Sequence, residues 1–405
     1  MVGSSLGQAI TLLFYPVLTR LYEPSDFAVY AVFMAFLNSL SPGISGRYEI
    51  AVAVAPGPKE SKSLVSFAFL VTAVLSCLIF LFILFFESQT SSILNIETIG
   101  NFVYLVPVAL FLIGVKEIMR RYSNFQKNYK IISYNAILQS AIAAFAACVF
   151  SLMGLNKVGL ILSFLLATFF CTVAFFWNYK NDINFAKLKI TKSKFKLAYK
   201  YRQFPLLNAP ASILNGITLA LPVFFLARDY PEAILGYYAL MTRVMMSPLS
   251  LISSSVSLVH LRVIADMVQR SLPVFGYMAK LTCFLLFFAG IPGVVFFIAG
   301  PDIFALIFGE KWRLAGEFIS IMIPGMVIKF VVSTLSPVFS STGNSHIAAG
   351  WRLLGFLVTI SIFINYSGKL TIFQLLHVIV VSDIVLYLLY YLLVCYALKR
   401  PKNMI

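Results

Sequence analysis

Four charged side chains stand inside stretches of sequence that are otherwise apolar: Arg243, Lys280, Lys329 and Asp383. An ionisable group at membrane depth costs several kcal/mol, so it faces a wet cavity or a partner, and in most cases it serves a function. Lys280 is near a span end and can reach the interface along its own aliphatic stem. Arg243, Lys329 and Asp383 are too deep for that. Polar stripes run beside them. Arg243, Ser247, Ser250, Ser254 and Ser257 fall on one helical face, as do Ser4, Gln8, Thr11 and Tyr15, and again Asn208, Ser212, Asn215 and Thr218. Together these residues could line a hydrated cavity that holds an anion. Three bases within spans outnumber the single acid there, and the arginine fork pairs with phosphate in a bidentate manner. Asp383, and Glu49 beside Arg47, are the carboxylates that could couple movement to H+ or Na+.

The elements that position these groups must be membrane spans. The chain has 405 residues, 60% hydrophobic and 11% charged, with a mean hydropathy of +0.92. Soluble chains carry about 25% charged residues, so the soluble-enzyme classes are excluded. Twelve apolar stretches approach the roughly 20 residues that a spanning helix requires. The fourth, 102–115, is short. Connections are also short, which leaves no room for a soluble domain. The prediction is an all-α polytopic membrane protein.

The formal charge of +16 would suggest nucleic acid in a soluble protein. Here the basic residues concentrate in alternate loops, above all in the central linker, where Lys180, Lys187, Lys189, Lys192, Lys194, Lys196, Lys200 and Arg202 face Asp182 alone. The positive-inside rule then places that linker and both termini in the cytoplasm. No nucleic-acid partner is expected. The five cysteines lie in apolar segments without metal spacing, and no nucleotide-binding or hydrolase motif occurs. No metal, cofactor or catalytic residue is expected.

The halves repeat. Ile10-Thr11, Pro16, Tyr22, Tyr30-Ala31 and Ser41-Pro42 recur in order as Ile217-Thr218, Pro222, Tyr230, Tyr238-Ala239 and Ser247-Pro248. The repeat divides the chain into an N-terminal lobe of six helices (1–178), a basic linker (179–203) and a C-terminal lobe of six (204–405). Parallel repeats of this kind enclose a central site in transporters. Prolines inside several spans, including Pro16, Pro222, Pro248 and Pro324, fit helices that line water or meet other helices.

"GQAITLLFYPVLTRLYEPSDFAVYAVF" followed by "GRYEIAVAV" resembles the opening of bacterial polysaccharide biosynthesis proteins of the Wzx-type O-antigen flippase group, within the multidrug/oligosaccharidyl-lipid/polysaccharide exporter superfamily. "YRQFPLLNAPASILN", "GYYALMTRVMMSPLSLI", "FGEKWRLAGEFISIMIPG" and "SPVFSSTGNSHIAA" are similar to the same group. The resemblance implies two MATE-like lobes around a central cavity in the bacterial inner membrane. It implies a cargo of oligosaccharide repeat units on undecaprenyl diphosphate, moved from the cytoplasmic to the periplasmic leaflet by alternating access. A polysaccharide polymerase and a chain-length regulator are the partners it implies. Cavity arginines of related lipid II flippases match Arg20, Arg47 and Arg243 here. Arg47, Arg243, Lys329, Arg20, Gln8 and Asn215 are therefore the expected cargo-binding residues, and Asp383 and Glu49 the ion-coupling candidates. A polymerase or ligase-type membrane enzyme and a multidrug/cation antiporter are the alternatives. The first needs a large outer loop and the second favours acids in its cavity.

Overall fold

In a computed structural model the described residues are 2–85, 99–180, 182, 192–270 and 274–399; burial at single helical positions, among them Ser4, Ser254 and Arg262, also lies outside the description. All regular elements among them are helical. In chain order they are α1 (Val2–Leu21), α2 (Pro24–Leu40), α3 (Tyr48–Val54), α4 (Pro58–Phe85), α5 (Leu105–Phe125), α6 (Tyr129–Leu152), α7 (Asn156–Tyr179), α8 (Lys192–Lys200), α9 (Ala209–Asp229), α10 (Glu232–Gln269), α11 (Val274–Phe308), α12 (Arg313–Thr334), α13 (Pro337–Ser341), α14 (Ser345–Tyr366) and α15 (Ile372–Lys399).

Nine of the described helices are long and apolar enough to cross a membrane, and a tenth is formed if the bent pair Pro24–Gly43 and Tyr48–Val54 counts as one span. α1 and α10 are also 20 residues or longer, and they carry the polar stripes that contain Gln8 and Arg243. Exposed apolar side chains fit a lipid surround: on α11, Phe284, Phe287, Phe288, Ile291, Val294, Val295 and Ile298 all point outward. A patch of that size is untenable in water.

The chain divides into two compact units, 1–236 and 237–405. Helix α9 packs along α2 and so falls in the first unit, whereas the repeat groups it with the second half. Gly216 makes that packing close: a Cβ there would lie 2.4 Å from the Asn38 carbonyl oxygen. The core of the first unit gathers Tyr48, Leu64, Val65, Ile118, Met119, Tyr122, Phe175, Tyr179 and Ala198. The core of the second gathers Leu281, Leu285, Phe330, Val331, Phe339, Tyr390 and Val394.

Two local features set the site. The α1–α2 corner is fixed by Pro24 at the helix start, by a capping box between Glu23 and Asp26, and by the buried Tyr22 hydroxyl donating to the Ala147 carbonyl at 2.7 Å. Further along, α2 ends in a turn where Gly46 and Arg47 both take positive φ, at 59° and 60°. The chain bends by 53° there before α3 begins. Glycine adopts that conformation freely; arginine does so at a cost.

The fourth span is longer than the sequence predicts. Helix α5 continues to Phe125, so Lys116, Glu117, Arg120 and Arg121 are helical rather than in a loop. Within this last part of the helix Glu117 pairs with Arg120 at 2.6 Å and with Arg121 at 2.9 Å, one turn away on the same face, which adds a little to its stability.

Candidate functional site

The left-handed turn aims Arg47 across the packed face of α9. Its Nε donates to Ser212 Oγ at 3.1 Å, and its Nη1 lies 3.3 Å from Glu49 Oε1. Ser212 is itself oriented, donating to the Asn208 carbonyl at 2.7 Å. Glu49 is 2% exposed and also accepts from the Ser45 hydroxyl. A buried carboxylate is stable only when paired and hydrogen-bonded, and here both conditions hold. Glu49 is also within electrostatic reach of Arg120 on α5. Arg47 keeps 21% of its side chain exposed. A guanidinium has five N–H donors, and the two contacts above leave part of the fork available for an anion. Asn215, one turn beyond Ser212 on α9, is exposed.

Two other predicted residues belong to α1. Arg20 is exposed at the end of α1, donating to the Pro16 carbonyl at 2.8 Å. The 17 residues of α2 separate it from the Arg47 turn, about 25 Å at 1.5 Å per residue. Gln8 has a buried Oε1 with no hydrogen-bond partner among the described residues.

In the second unit, Lys329 on α12 and Asp383 on α15 face each other, Nζ to Oδ2 at 3.6 Å. The ammonium also sits over the Tyr387 ring, 5.5 Å from its centroid. Buried Tyr238, on α10, lies within electrostatic range of the pair. The sequence reading gives the two charges separate tasks, one for cargo and one for an ion; the fold makes them a single ion pair. Arg243 is half-buried on α10, one turn before Ser247. The serine stripe below it is partly used in packing. Ser257 donates to the Thr334 carbonyl at 3.0 Å, and Thr334 donates to Ser253 at 2.9 Å.

A third polar group links α5, α6 and α7, although the sequence reading places Lys116 in a loop. Lys116, at the middle of α5, donates to Gln139 Oε1 on α6 at 2.9 Å. Gln139 donates in turn to Thr168 on α7 at 3.4 Å. The signal was present in length alone: a span of 102–115 is too short for about 20 residues, and extending it takes in Lys116. Among the described residues, no group of three or more His, Cys, Asp or Glu is placed to hold a metal ion.

Fold and site define a polytopic helical membrane protein that keeps charged and polar groups inside its bundles. The profile of a family described as polysaccharide biosynthesis protein matches residues 17–316. The chain belongs to that polysaccharide biosynthesis protein family. No curated protein matches it by sequence. Its fold is similar to that of the lipid II flippase MurJ in an inward closed conformation, with a TM-score of 0.76 at 13% identity over 98% of this chain and 89% of that one. It is also similar to a multidrug resistance MATE family transporter of the MOP superfamily in its inward-facing conformation (TM-score 0.74, 12% identity, 97% and 94% covered). A third similar structure is a MOP superfamily transporter from Pyrococcus furiosus, described as having a binding pocket of reverse polarity (TM-score 0.66, 12% identity, 100% and 95% covered).

Proposed function

We propose that this protein is a flippase that carries undecaprenyl-diphosphate-linked oligosaccharide repeat units, of O-antigen or another surface polysaccharide, from the cytoplasmic to the periplasmic leaflet of a bacterial inner membrane. Family membership and the shared transporter fold support a membrane transporter; the cargo is argued from the site. One observation carries it. Arg47 is held in a left-handed turn by Glu49 and Ser212, with part of its fork still open, on a polar face continued by Asn215. A diphosphate offers the matching geometry. The glycan hydroxyls need hydrated polar walls, because each one left unsatisfied in hydrocarbon costs a few kcal/mol. Arg243 is the proposed anion contact of the second unit. Lys329 serves as a further one when its long contact with Asp383 opens. H+ or Na+ coupling through Asp383 or Glu49 then acts by changing how tightly each acid holds its base. Both termini lie in the cytoplasm in this reading. No bond is made or broken, so the protein is not an enzyme. A cation antiporter fits less well, since both candidate acids are already engaged by bases.

The test is deletion with complementation. Surface polysaccharide should vanish, and a single lipid-linked repeat unit should accumulate facing the cytoplasm. The wild-type gene should restore export, and Arg47→Ala or Arg243→Ala, inserted at wild-type levels, should not. Accumulation on the periplasmic side would instead indicate a missing polymerase.

A further inference from the structure

One end of the first unit carries a surface that the transport reading does not use. On α7, Leu166, Phe170, Val173 and Trp177 recur at helical spacing and are exposed, forming a stripe suited to lipid. Trp177, 73% exposed, ends that stripe. Lys180, three residues on, places its ammonium 4.5 Å from the Trp177 ring centroid. This is the order of groups at a membrane boundary: apolar body, interfacial aromatic, then cation.

Helix α8 carries a second group of exposed aromatic and basic side chains. Its inner face is bound to the unit: Ala198 is buried in the core with Tyr48, Val65 and Tyr179, and Leu197 packs against the same cluster. The Tyr48 hydroxyl donates to the Ala198 carbonyl at 3.3 Å, and Lys200 pairs with Glu60 at 2.8 Å. The outer face holds Phe195 and Tyr199, one turn apart and both largely exposed, with Lys196 exposed between them. Arg202 stacks its guanidinium 4.3 Å from the Tyr199 centroid. Aromatic side chains exposed beside unneutralised cations match an interface of apolar tails and anionic heads. Asp182 is the only acid in this stretch of the chain.

We infer that Trp177, Lys180, Phe195, Lys196, Tyr199 and Arg202 form a binding surface for anionic phospholipid headgroups, with α8 lying in the headgroup layer. The occupant is argued from charge and from continuity. Among the described residues its cations have no carboxylate partner, and the inner face of α8 shares one core cluster with Tyr179 at the end of α7. Each basic residue near an anionic leaflet adds attraction that falls off within a Debye length. The surface acts independently of the cargo carried.

Limited chymotrypsin digestion of the full chain in vesicles tests this. Vesicles are phosphatidylcholine, with or without phosphatidylglycerol, and cleavage after Phe195 and Tyr199 is compared with cleavage after Tyr129. Tyr129 is exposed at the start of α6, so it reports protease access in the same molecules. Phosphatidylglycerol should slow cleavage at Phe195 and Tyr199 several-fold relative to Tyr129, and high salt should reverse this. The combined substitution Lys180→Gln, Lys196→Gln and Arg202→Gln should abolish the protection. Equal ratios with and without phosphatidylglycerol overturn the inference, as does protection that survives either salt or neutralisation. The salt arm uses the wild-type chain and needs no variant to fold.

Discussion

Arg47 combines three properties that rarely coincide: a left-handed backbone, a buried acid partner and open donors. The backbone cost is tolerated because Glu49 and Ser212 hold the side chain from two elements. Charge alone therefore does not reproduce it. Arg47→Lys keeps a cation but loses the fork, and charge-assisted hydrogen bonds contribute about 1.5–3 kcal/mol each. Export in a complementation assay should fall by about tenfold or more, with the protein still inserted. Lys329 and Asp383 make a different case. Removing one partner strands the other, so Asp383→Ala should destabilise the protein in detergent by about 1–3 kcal/mol, below the 3–5 of a fully buried pair, because both side chains retain some exposure. Lys329→Met with Asp383→Leu should recover most of that loss in thermal unfolding. If that double variant transports normally, Asp383 is not the coupling group.

Helices decide which of these residues meet. Pro24 and the capping box start α2 at a defined corner, and the bend before α3 turns Arg47 toward α9. The contact depends on Gly216, whose missing side chain lets α9 approach the Asn38 carbonyl. Gly216→Val should push α9 away and separate Ser212 from Arg47. Both thermal stability and export should drop, while Gly216→Ala should cost less. Helix α5 gives an asymmetric prediction. Lys116→Met removes a half-buried cation at similar volume and should leave the unfolding temperature unchanged or raised. Gln139→Leu leaves that cation without its acceptor and should lower the temperature by an amount corresponding to about 1–3 kcal/mol.

At the scale of the molecule, the proposed topology divides the +16 charge into an orienting majority and a small set inside the spans. The orienting part should be movable. Replacing the lysines of the 179–203 linker by glutamine should weaken the topology, and cysteine accessibility at the C-terminus in intact cells against lysed ones measures this. Lys116 joins the charges held between helices, because α5 runs past the expected span end and its ammonium bonds Gln139 on α6. Part of the linker, residues 181 and 183–191, and the C-terminal basic residues Arg400 and Lys402 lie outside the described residues.

Composition and periodicity by themselves determined that this is an all-helical membrane protein, and where most of its spans run. Those are properties of consecutive residues, and hydrophobicity at a period of 3.6 is readable from order alone. The ordered motifs from "GRYEIAVAV" to "SPVFSSTGNSHIAA" carried the family. Only tertiary structure decided the partners. Lys329 and Asp383 are a pair because α12 packs on α15. Arg47 reaches Ser212 because two helices far apart in sequence touch at a glycine, and Arg20 is excluded from that site by the length of α2. Contacts of that kind depend on which faces of distant helices come together, and no local spacing records it.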